Sequence, residues 1–195
     1  LAYVVDRDGD LARKIARKHG ALPATDCAEI AGKVDVASVA VPTQHHFGVA
    51  SALLDAGIHV LVEKPLTPTL EEADALVAAA EARGLELRVG HLERFNPALM
   101  AVRDRIVRPR FMECHRLAPF KPRSTDVDVV LDLMIHDIDI ILSLVPAEVA
   151  EVRAASRIAP RSARVTSTIE VRAGSAKVCN AARNRSSCIF NPECG

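Results

Sequence analysis

The chain has 195 residues, 49% hydrophobic and 26% charged, which is room for one domain and part of another in an ordinary globular balance. Lys plus Arg equals Asp plus Glu at 25 each, so no basic face follows from net charge and a dedicated nucleic-acid binder is disfavoured. The apolar runs 34–41 and 133–145 are broken by charge and suit no membrane span, and five scattered cysteines (27, 114, 179, 188, 194) without a Cys-x-x-Cys pair fit a reduced cytoplasmic protein.

Leu1–Val5 is an apolar strand ending at Asp6, with no initiator Met and no signal peptide, so the chain reads as beginning inside a fold. Asp10–Lys18 has helical spacing, with Leu11 and Ile15 on one face and Gly20 as a stop. Asp26 caps a short helix ending near Gly32. Val34–Val41 is a β-branched run closed by Pro42. Thr43 or Gln44 opens a helix through Ala56, ended by Gly57. His59–Val62 is a strand terminated by Glu63-Lys64-Pro65. Pro68 stands near the first turn of an Ala-rich helix to Arg83, and Leu85–Val89 is the next strand. Helices between short buried strands predict an α/β fold with a doubly wound parallel sheet. Ligands in such sheets lie beyond the carboxyl ends of the strands, where Asp6, Pro42-Thr43, Glu63-Lys64-Pro65 and Gly90-His91 all fall.

The pattern changes near residue 95, the predicted boundary between a domain over 1–95 and one over 96–195. Pro97–Val107 reads as a connecting helix, Phe111–Leu117 as an antiparallel strand, and Pro119–Arg123 as a basic loop. Asp126–Leu144 reads as one long helix buried nearly all round, and Val149–Ser156 as a strand. These segments predict a partial α+β domain. From about residue 156 the tail is rich in Arg, Ser and Ala with little periodicity beyond 165–171, and is expected to be incomplete or an altered reading of a longer protein.

Several residues suit chemistry. Asp6 stands where dinucleotide folds place an acid for the adenosine ribose, about 20 residues past a Gly-rich phosphate loop, which would then precede residue 1. The alternative is an Asp that only caps the next helix. An acid there favours NAD, while Arg7 could meet the extra phosphate of NADP. Lys64 leaves a strand end as a fixed cation suited to negative charge developing on oxygen; a solvated turn is the plainer reading. Asp132 and His136 are four apart on a helix, with Asp139 continuing the stripe. An imidazole oriented by a carboxylate can exchange a proton near neutrality, and a satisfied core pair is the alternative. A metal would need further ligands, and none has obvious spacing. Arg116, Lys121 and Arg123 suit a substrate phosphate or a solvated loop equally.

Taken together, Val4-Val5-Asp6, Val41-Pro42-Thr43-Gln44-His45-His46, Ala56–Pro65, Gly90–Pro97 and Asp132-x-x-x-His136 resemble the Gfo/Idh/MocA family of nicotinamide-dependent oxidoreductases over roughly residues 1–155. The resemblance implies a Rossmann-type domain, here lacking its first strand and Gly-rich loop, followed by an open antiparallel sheet that mediates homo-oligomerisation. It implies NAD as cofactor, with NADP left open. It puts Asp6 and Arg7 at the adenosine ribose, and Pro42, Thr43, His46 and Glu63 along the cofactor. It makes Lys64 and His136 catalytic with Asp132 as orienting acid, and turns Arg94, Asn96, Arg116, Lys121, Arg123 and Asp139 toward a sugar or sugar-nucleotide substrate. The run 126–139, preceded by 120–123, is most similar to the branch that oxidises the 3-hydroxyl of UDP-N-acetylglucosamine ahead of amination in lipid A assembly. Inositol and polyol dehydrogenases of the family share the Asp-x-x-x-His element, and a non-catalytic nucleotide-sensing module is the reading from another class.

Overall fold

In the computed structural model, residues 1–107, 109, 112, 114, 130–145, 148–158 and 165–173 are described, in two compact units, Leu1–Gly90 and His91–Gly195. The first unit starts with β1 (Tyr3–Val5) and α1 (Gly9–His19). Asp8 caps α1 by accepting from the N–H groups of Asp10 and Leu11, and Gly20 closes it at φ 65°. Ala12 and Ala16, one turn apart, are its buried face; their small side chains let the helix approach the strands closely.

The strand β2 (Leu22–Ala24) follows, parallel to β1. The sequence reading missed it because Pro23 argues against a strand. The N–H of Leu22 donates to Ala2 O and that of Asp6 donates to Ala24 O, so the ladder is built by the residues flanking Pro23. The proline nitrogen faces away from β1, where a missing donor costs nothing.

After a tight turn at Cys27–Ile30 come β3 (Val36–Val39), α2 (His46–Asp55), β4 (His59–Val62), α3 (Leu70–Arg83) and β5 (Leu87–Val89). The strands pair in parallel in the order β3-β4-β5. On one face Val39, Val60, Val62 and Leu87 pack with Ala50, Leu53 and Leu54 of α2 and Leu76 and Ala80 of α3. On the other face Val36 and Leu61 are exposed.

The doubly wound order is 3-2-1-4-5-6. Here the paired orders are β1-β2 and β3-β4-β5. Both ribbons share one core, which Tyr3 and Val5 join, yet no pairing links β1 to β3 among the described residues. The expected sheet is thus present as two parallel ribbons.

In the second unit a tight turn at Leu92–Phe95 leads into α4 (Pro97–Val102). The helix expected over 97–107 is shorter, giving way to another tight turn at Arg103–Arg105. Of the strand expected over 111–117 only Met112 and Cys114 are described, and neither belongs to a strand; the basic loop and the start of the long helix at 126–129 lie outside the described residues. The remainder of that helix is a π turn, Val130–Met134, followed by α5 (Ile135–Leu144). It is half-buried rather than enclosed: Asp139 and Leu144 are its buried residues, whereas Leu142 is exposed. Among the described residues, the turns Leu92–Phe95 and Val130–Met134 pack on it.

β6 (Val149–Ile158) and β7 (Val165–Ala173) form an antiparallel ribbon running from Val149 opposite Ala173 to Ile158 opposite Val165. Pairing therefore continues past residue 156, where the tail was expected to lose its pattern. The cause is legible afterwards: 165–173 alternates Val, Ser, Ile, Val and Ala with Thr, Thr, Glu and Arg, a strand period carried by small residues.

Candidate functional site

The predicted residues of the first unit stand at the carboxyl ends of parallel strands. Asp6 follows β1, and its Oδ1 accepts from the N–H of Asp8 at 2.9 Å. The helix cap is Asp8 itself, so Asp6 is not the capping residue; its carboxylate is oriented at the strand end. Arg7 beside it is exposed.

Beyond β3 the chain turns through Pro42 into a single tight turn, Thr43–His45. Pro42 is exposed and Thr43 is buried. His46 opens α2 at 1% exposure. One ring nitrogen, Nδ1, lies 2.8 Å from Pro65 O, and the other, Nε2, lies 2.9 Å from Val41 O. Its ring nitrogens are thus engaged by the chain's own backbone.

Beyond β4 come Glu63 and Lys64, both half-buried, then buried Pro65 after a cis Lys64–Pro65 peptide. The Glu63 carboxylate folds back over Gly90 at the end of β5. A Cβ at Gly90 would meet Oε2 at 3.1 Å, Cδ at 3.2 Å and Oε1 at 3.3 Å, so glycine is what leaves this carboxylate its place. Gly90 N–H donates to Val62 O at 2.7 Å, which fixes the two strand ends against each other.

In the second unit, Arg94 and Asp139 bind each other. Arg94 Nε donates to Asp139 Oδ2 at 3.0 Å and its Nη2 donates to Oδ1, a two-pronged ion pair with Asp139 9% and Arg94 32% exposed. It fastens the turn Leu92–Phe95 to α5. Asn96 caps α4, its Oδ1 accepting from Ala98 N–H at 3.0 Å, while its Nδ2 donates to Glu93. These three residues, expected at a substrate, make these contacts within their own unit.

Asp132 and His136 are half-buried, but the π turn changes their relation. Asp132 lies within Val130–Met134, where bonds run from i to i+5, and His136 is the second residue of α5. Arg116, Lys121 and Arg123 lie outside the described residues.

Two titrating groups elsewhere in the first unit are shifted. Backbone and hydroxyl donors from Thr25, with Asp26 N–H, hold the Glu29 carboxyl below its ordinary range. Burial, and then the negative charge of Asp26, push the Cys27 thiol up. Glu29 forms the capping box of the turn Cys27–Ile30 with Asp26, and Cys27 is the first residue of that turn.

Residues 1–91 match the Gfo/Idh/MocA model, described as an oxidoreductase family with an NAD-binding Rossmann fold. These residues belong to that family. A UDP-N-acetylglucosamine 3-dehydrogenase of Acidithiobacillus ferrooxidans is 45% identical over 157 residues, 79% of this chain and 50% of the relative. A crystal form of the enzyme with that name from that organism superposes with a TM-score of 0.79 at 40% identity, covering 88% of this chain and 57% of the other. A myo-inositol dehydrogenase of Streptomyces leeuwenhoekii is 32% identical over 159 residues, 76% of this chain and 49% of the relative. The chain thus spans about half the length of the curated relatives it matches. Among the described residues no helix is long and apolar enough to cross a membrane.

Proposed function

We propose that the chain carries the cofactor domain and the start of the substrate domain of a cytoplasmic, NAD-dependent sugar dehydrogenase that oxidises C3 of UDP-N-acetylglucosamine, and that works as a homo-oligomer. The observation that carries this reading is the 45% identity over 157 residues to a relative of that name, against 32% to the inositol dehydrogenase. The residues at the strand ends fit the cofactor. Asp6 presents an oriented carboxylate for ribose hydroxyls, and such an acid repels the extra phosphate of NADP. Glu63, seated over Gly90, borders the same strand ends.

When bound, NAD supplies the acceptor for the hydrogen and electron pair of the carbinol C–H bond. His136 takes the proton of the sugar hydroxyl as the carbonyl forms, so the substrate loses one hydride and one proton. Asp132 orients the imidazole or the sugar. The Lys64 ammonium stabilises negative charge as it grows on the hydroxyl oxygen that becomes the carbonyl. Arg116, Lys121 and Arg123 suit the diphosphate by their charge.

The reading is tested by NAD reduction with a panel of UDP-sugars and free polyols. Turnover of UDP-N-acetylglucosamine supports it. Turnover of myo-inositol in its place favours the polyol reading, and NAD binding with no oxidation of either favours the non-catalytic module.

A further inference from the structure

We infer that His46 is a positioning residue: a two-point brace whose ring ties the segment leaving β3 to the segment leaving β4 and so sets the place of Lys64. This deepens the proposed function and rests on its reading of Lys64 as catalytic. The ring is 1% exposed and opens α2. Its Nδ1 lies 2.8 Å from Pro65 O, nineteen residues on, and its Nε2 lies 2.9 Å from Val41 O, five residues back. Pro65 directly follows Lys64, and Val41 directly precedes Pro42 and Thr43. The two loops at the ends of neighbouring strands are thus held through a single side chain. A carbonyl oxygen only accepts hydrogen bonds, so a hydrogen bond at either contact is donated by the ring. With its nitrogens spent on the backbone, His46 acts on the site through Lys64 and not by touching a ligand.

Labelling histidine nitrogens in the intact chain decides the first half. The brace predicts a ring N–H of His46 held against exchange with solvent, its signal assigned by its loss in His46→Phe. A His46 ring N–H that exchanges as freely as that of exposed His45 would overturn it. This readout needs no turnover, so it stands apart from the fate of the proposed activity. Kinetics decide the second half, with hydrogen exchange of the β4 amides confirming that each variant keeps its fold. His46→Gln, with donors on one nitrogen, should lower kcat about tenfold and His46→Phe more, with KM for sugar and NAD nearly unchanged, as expected when a reacting group is misplaced. An unchanged kcat in folded His46→Phe, or a loss confined to KM, would overturn the brace. If wild type oxidises no sugar, faster amide exchange at Lys64 and Leu66 in the variants with β4 intact supports the brace, and unchanged exchange there overturns it.

Discussion

Replacing Asp139 by Asn tests whether the Arg94–Asp139 pair organises α5. The Asp139 side chain is 9% exposed and that of Arg94 is 32% exposed, so the pair lies between a surface bridge and a buried one. Exposed pairs contribute about 0.2–1 kcal/mol, and removing one partner of a buried pair costs about 3–5 kcal/mol. With one partner buried and the other a third open, the loss should be about 2 kcal/mol. Because the chain has two units, global unfolding is a poor gauge. Native-state hydrogen exchange of the α5 amides reports the second unit directly. A loss of about 2 kcal/mol speeds their exchange roughly thirtyfold. In a cycle of Arg94→Gln, Asp139→Asn and the double variant, the coupling should be about 1–2 kcal/mol. A coupling below about 0.3 kcal/mol would refute the pair as an anchor and return Asp139 to the role of an independent site residue.

Gly90→Ala places a Cβ 3.1 Å from Glu63 Oε2, so the carboxylate must give way while stability changes by no more than about 1 kcal/mol; NADH binding followed by fluorescence should weaken, and unchanged binding would count against Glu63 as a cofactor neighbour. Glu29, its carboxyl held low when folded, contributes stability that is present above the ordinary glutamate range and is lost as pH falls through the lowered value. Local exchange at the Cys27–Ile30 turn should therefore rise on acidification, and Glu29→Gln should flatten that dependence. Cys27, its thiol pushed up by burial and by Asp26, should alkylate slowly at neutral pH and faster in Asp26→Asn, as read by mass spectrometry.

The strand–helix alternation over 1–90 was legible because its punctuation is local: Gly20 and Gly57 stop helices by chemistry visible in the sequence, while the caps Asp8 and Thr69 appear only in the structure. β2 was hidden by Pro23, whose tolerance depends on which way its nitrogen faces. The periodicity of 165–171 was visible, but its pairing with 149–158 was not, because register is set by tertiary placement. The π turn at Val130–Met134 could not be read from spacing, since periodicity counts residues and cannot tell a wide turn from a normal one. Candidate site residues at the strand ends were legible for the same topological reason as the strands. What Arg94, Asn96 and His46 bind was not, because each partner is set by tertiary placement.

Isotope tracing puts the central claim to the most direct trial. UDP-N-acetylglucosamine carrying deuterium at C3 is incubated with the protein and NAD, and the reduced cofactor is analysed by mass spectrometry. Oxidation at C3 predicts reduced cofactor heavier by one deuterium, formed much more slowly by Lys64→Met and His136→Asn. Reduced cofactor without the label, or label transferred undiminished by both variants, would contradict it.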